Sequence, residues 1–69
     1  MPLSMVNMGE KNTIKHIGGK EETRKFLESL GFVAGGIVTV ISETKGNMIV
    51  NIKDSRIAIG RDMANKIMV

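Results

Sequence analysis

Apolar and polar positions alternate most regularly in the second half of the chain. Met48, Val50 and Ile52 are interleaved with Ile49, Asn51 and Lys53, and the preceding run Ile37-Val38-Thr39-Val40-Ile41-Ser42 is β-branched almost throughout. A period of two with β-branched side chains predicts strands that bury one face. Lys45-Gly46-Asn47 reads as the turn between them, and Asp54-Ser55 as a tight reversal into a strand over Arg56-Ile57-Ala58-Ile59-Gly60. Arg61 to Ala64 leaves room for one helical or 3₁₀ turn, and Lys66-Ile67-Met68-Val69 predicts a last short strand.

The first half reads differently. Thr13-Ile14-Lys15-His16-Ile17, bounded by Gly18-Gly19, predicts a first strand. Ile14 and Ile17 cannot share a face of a regular strand, so a bulge or an end near His16 is expected. Met1 to Gly9 is a lead-in arm anchored by Leu3, with Met5 and Val6 as further groups it could bury. From Lys20 to Leu30 the period becomes helical, with Phe26, Leu27 and Leu30 on one stripe expected to face the core and Thr23 beside them. Glu21 and Glu22 oppose the positive end of that helix dipole, Glu21/Lys25 and Arg24/Glu28 stand at i, i+4, and Gly31 supplies a left-handed stop.

About five short strands, each with a face to hide, are best satisfied by curling the sheet into a small barrel, with the helix covering an open end. A chain of 69 residues builds one core, so residues 1–69 are expected to form one domain. A core this small gains from association, which makes a homodimer one source of stability. The net charge of +3 is dispersed, since most cations have an acidic neighbour within a few residues, and no phosphate-binding stripe emerges. Met1 to Asn12 lacks a signal-peptide pattern and no apolar run approaches a membrane span, so a cytoplasmic domain is expected.

Candidate chemistry changes this picture little. There is no cysteine, which removes thiolate chemistry, and His16 is the single histidine, which reads better as a strand-surface residue than as a lone ligand shared with a second copy. Glu21 and Glu22 are adjacent on a helix and diverge by about 100°. The serines have no evident base, so no enzyme is expected. Gly18-Gly19-Lys20 lacks the upstream glycine and the following Ser or Thr of a phosphate loop. With only Phe26 and Phe32 as aromatics, stacking on bases or on proline-rich peptides has no platform, so no nucleic-acid partner is expected.

What stands out is Leu30-Gly31-Phe32-Val33-Ala34-Gly35-Gly36, which sets Phe32 and Val33 in a loop. One or both could plug the barrel; otherwise they form an apolar contact for another protein. On the second reading Arg24, Leu30, Gly31, Phe32, Val33 and Gly35 are the partner-binding residues, and truncating Phe32 should weaken binding without unfolding the domain.

The run from Arg24 to Gly35, then a β-branched strand, then Ile57-Ala58-Ile59 leading through Arg61, Asp62 and Ala64 to Ile67-Met68-Val69, resembles the ferrous iron transport protein A (FeoA) family. Leu3-Ser4, Gly9, Ile14 and Ile17-Gly18 fit the same pattern, which covers nearly the whole chain. The resemblance implies a mainly β fold, an SH3-like barrel with one inserted helix. It also implies a small cytosolic accessory protein acting on the ferrous iron transporter B, a membrane protein with a cytosolic GTP-binding domain. Contact with the membrane would then run only through the transporter. No resident cofactor is implied, and any contact with iron would be transient. Similar domains are fused to metal-dependent repressors of the diphtheria toxin repressor type, but this chain has no DNA-binding helices. A metal-binding or metal-sensing domain and a nucleic-acid-binding barrel are the alternatives. One departure is Ala34, where the family usually has Pro before Gly35; it should loosen the loop slightly.

Overall fold

Met48, Val50 and Ile52 all point into one core, as their spacing requires, and the strands on either side complete that face. The computed structural model describes all residues 1–69. After a 3₁₀ turn at Leu3–Met5 come β1 (Lys11–Thr13), β2 (His16–Ile17), α1 (Glu21–Ser29), β3 (Ile37–Thr44), β4 (Asn47–Ile52), β5 (Ser55–Gly60), the single-turn α2 (Arg61–Ala64) and β6 (Ile67–Met68). An antiparallel sheet runs β1-β3-β4-β5, and β2 pairs with β6 in a second, two-stranded sheet. The backbone ladder is therefore not continuous around the molecule, and the expected closed barrel is two sheets sharing one core.

The first strand divides for a physical reason. Through Ile14 the backbone follows β3, donating to Gly36 O (2.8 Å) and accepting from Gly35 N–H (2.8 Å). Lys15 N–H then turns to Met68 O (2.7 Å) and Gly18 N–H to Lys66 O (2.7 Å). Changing sheets at Ile14–Lys15 lets the fully buried Ile14 and the half-buried Ile17 approach the same core from different strands, which one regular strand forbids.

Cross-strand pairs Val38↔Ile52, Val40↔Val50 and Met48↔Ile59 form the centre of the core. The register of β3 against β4 shifts between Val40 and Ser42, so Ile41 is an extra residue. The shift sets Glu43 opposite Met48, where its carboxylate meets the Arg61 guanidinium at the start of α2 (3.8 Å). In the lead-in arm Leu3 and Val6 are buried as the pattern suggests, but Met5 is exposed. Ser4 goes inside instead, its hydroxyl donating to Asn65 Oδ1. The reversal between β4 and β5 uses Lys53 (φ +48°) and Asp54 (φ +64°), one residue earlier than the sequence suggests; two left-handed residues match the twist of the flanking strands.

Candidate interaction surface

The end of α1 determines where both phenylalanines go. Gly31 takes φ +108°, its N–H donates to Glu28 O (3.0 Å), and Phe32 N–H reaches back to Leu27 O (3.0 Å). This pair of bonds is a Schellman motif, in which the residue after the glycine characteristically packs on the last turn of the helix. Phe32 and Leu27 are accordingly both 0% exposed and belong to the same core. Phe32 is the plug and not a contact residue, so it leaves the candidate surface. The signal was present as an apolar residue directly after a helix-stopping glycine.

Phe26 takes the opposite place. The inward stripe of α1 is Thr23, Leu27 and Leu30, and at about 100° per residue Phe26 stands roughly 70° off its centre. It is 52% exposed, against the expectation that it faces the core. Beside it along the helix lie Glu22 and Ser29, and the half-buried Leu30 edges the same flank. Arg24 lies two residues away and so about 160° around the helix, on the other flank, where it faces Glu28 at 4.0 Å. The structure does not bring Arg24 and Phe26 together. Both expected i, i+4 ion pairs form, the other being Lys25–Glu21 at 3.5 Å, but both are exposed and contribute little stability.

Beyond Phe32 the loop is ordered by its backbone. Gly36 N–H donates to Val33 O (3.0 Å) and Gly35 has φ +88°, which makes Val33 to Gly36 a type II turn. Val33 is half-buried and Gly35 exposed, so both border solvent, and Ile37 directly after the turn is 51% exposed. Ala34 occupies the turn position that Pro favours, is exposed, and its N–H makes no backbone hydrogen bond. Ala34→Pro is therefore expected to stabilise the domain by about 0.4–1 kcal/mol, read as a higher midpoint in thermal unfolding. An unchanged or lower midpoint would contradict the type II assignment.

Other candidate chemistry stays dispersed. His16 lies exposed on β2 opposite Met68, and no three His, Asp or Glu side chains converge as a metal ligand set. The surface has no pocket. No helix is long and apolar enough to cross a membrane.

A family model for the FeoA domain matches residues 1–69, the whole chain. The chain belongs to the FeoA family. Its sequence is 38% identical over 68 residues to a Methanocaldococcus jannaschii protein named Fe(2+) transport protein A, covering 99% of this chain and 83% of that protein. A crystal structure described as iron uptake regulatory protein (FeoA) superposes with a TM-score of 0.89 at 34% identity, covering 99% of this chain and 90% of the other. The zinc complex of Stenotrophomonas maltophilia FeoA, described as a prokaryotic SH3 domain protein, superposes at 0.86 with 20% identity over 100% and 88% of the two chains. The SH3-like architecture of this FeoA domain is thereby established, with the six strands in two sheets described above.

Proposed function

We propose that this FeoA domain is an accessory of ferrous iron uptake and works as a protein-interaction module on the cytosolic GTP-binding part of the ferrous iron transporter B. Membership of a family whose M. jannaschii relative is named for Fe(2+) transport supports the pathway. The observation that carries the docking role is Phe26, a large aromatic left half-exposed on a rigid helix in a protein that has only two aromatics. Phenylalanine, like the other aromatics, is enriched in the buried centre of protein interfaces relative to the rest of the surface. The contact we assign comprises Phe26 and Leu30 of α1 with Val33 and Gly35 of the loop that follows. Gly31 shapes this surface through its left-handed backbone, and Arg24 lies outside it on the far flank of the helix.

The test is a titration of the ¹⁵N-labelled domain with the purified cytosolic part of the transporter. Resonances of Phe26 to Gly36 should shift, and Phe26→Ala should weaken binding at least about tenfold while leaving the melting temperature unchanged. Wild-type affinity in that variant would remove Phe26 from the interface. Ferrous iron added alone under anaerobic conditions separates the metal-sensing alternative, which requires broadening around His16 and nearby carboxylates.

A further inference from the structure

The two edges of the four-stranded sheet are unequal. β1 is three residues long and begins with Lys11, which blunts it against further pairing. β5 is six residues long, has no Pro or Lys, and carries Arg56 as its single charge.

The hairpin register decides which groups β5 leaves open. Arg61 N–H donates to Gly46 O (2.9 Å), one step beyond the pair Asn47↔Gly60. Hydrogen-bonded pairs alternate along an antiparallel ladder, so Ile59, Ile57 and Ser55 bond to β4. Arg56, Ala58 and Gly60 then direct their N–H and C=O groups away from the sheet. No backbone group of Arg56 or Ala58 bonds to another segment, both residues are exposed, and Gly60 keeps extended geometry (φ −68°, ψ 152°).

We infer that β5 pairs antiparallel with β5 of a second copy about a two-fold axis at Ala58. This inference rests on the open edge and does not depend on the transporter reading. Only this register uses all three outward residues, pairing Ala58 with the partner's Ala58, and Arg56 with the partner's Gly60; because the Gly60 carbonyl caps α2, four hydrogen bonds form. It sets methyl against methyl on the axis. The two Arg56 side chains are held about 13 Å apart along the strands, because each stands four residues from the other's position at about 3.3 Å per residue. On the core face it brings the half-buried Ile57 against the partner's Ile59 in a close pair without hydrogen bonds, extending the apolar face across the junction. The register centred on Ile57 makes as many bonds but brings the two Arg56 side chains to about 7 Å along the strands, and the one centred on Arg56 sets them directly opposite. The edge is self-complementary, which favours a second copy as its occupant.

Strand pairing this short falls below the roughly 1,200 Å² of a standard stable interface, so the dimer is weak and exchanges quickly. Sedimentation velocity on the full chain from about 10 μM to about 1 mM should show mass rising toward the dimer. Ala58→Pro removes an N–H that β4 does not use, so it should leave a folded monomer with affinity for itself lowered more than about tenfold. The decisive variants are Ala58→Lys and Ala58→Glu. A residue on the axis meets its own copy, so each alone should be monomeric, whereas their equimolar mixture should dimerise. This mixing result decides the matter if Ala58→Pro fails to fold. A wild-type chain still monomeric at about 1 mM, or dimers that persist in the single charged variants, would overturn the proposal. So would β5 amides that ignore protein concentration but shift with the transporter's cytosolic part, since the edge would then accept a strand from that protein.

Discussion

Replacing Phe32 with Ala is expected to cost about 3–5 kcal/mol, the range for emptying an aromatic site in a closed core. The side chain is completely buried, and its backbone N–H is tied to Leu27 O, so the loop is not free to collapse into the space left behind. A domain of this size seldom has more than about 3–5 kcal/mol in total. The variant should therefore be largely unfolded, with a lost or strongly depressed melting transition in circular dichroism. A cooperative transition near the wild-type midpoint would mean that Phe32 is not the plug. This outcome separates Phe32 from Phe26, whose truncation should change binding and spare the fold.

The second large effect is expected at Leu27. It is the one fully buried residue of α1, and through it the helix is attached to the sheets. Leu27→Ala should cost about 2–5 kcal/mol. Both ends of the Schellman motif would be weakened by either change, so the two losses should not add. The coupling is measurable in a denaturant-based mutant cycle built from the milder truncations Phe32→Leu and Leu27→Val, which keep the domain folded, as a shortfall of about 0.5 kcal/mol or more from the sum. Strict additivity would show that Phe32 and Leu27 act in separate parts of the core.

Much of the fold was legible because its signals are local. The alternation in β4, the acidic first turn of α1, the glycine stop and the single turn of α2 each depend on residues a few positions apart. The two phenylalanines were exchanged because their burial depends on geometry that a broad stripe cannot resolve. On a nine-residue helix one residue of phase decides whether Phe26 faces the core, and the cap after Gly31 turns the chain so that Phe32 returns beneath it. The division of the first strand was half visible. Ile14 and Ile17 conflict within one strand, but nothing near them in sequence reveals that Lys66 and Met68 receive the second half. The proposed interaction surface was less legible still, because Arg24 and the Leu30–Gly35 loop are close in sequence while the helix holds Arg24 on its far flank.

The two-stranded sheet also fixes an order of events in folding. β3, β4 and β5 are joined by two-residue turns and can assemble from short-range encounters, whereas joining β2 to β6 closes a loop of nearly fifty residues, from Ile17 to Ile67. Such a closure becomes favourable once the meander already offers a surface, so β2 and β6 are expected to dock last and to part first. Native-state hydrogen exchange should then release the amides of Lys15 and Gly18, which hold this junction, ahead of that of Val50 at the centre of the meander. A domain built in this way undergoes its first opening at the junction that carries both chain ends, while the meander persists.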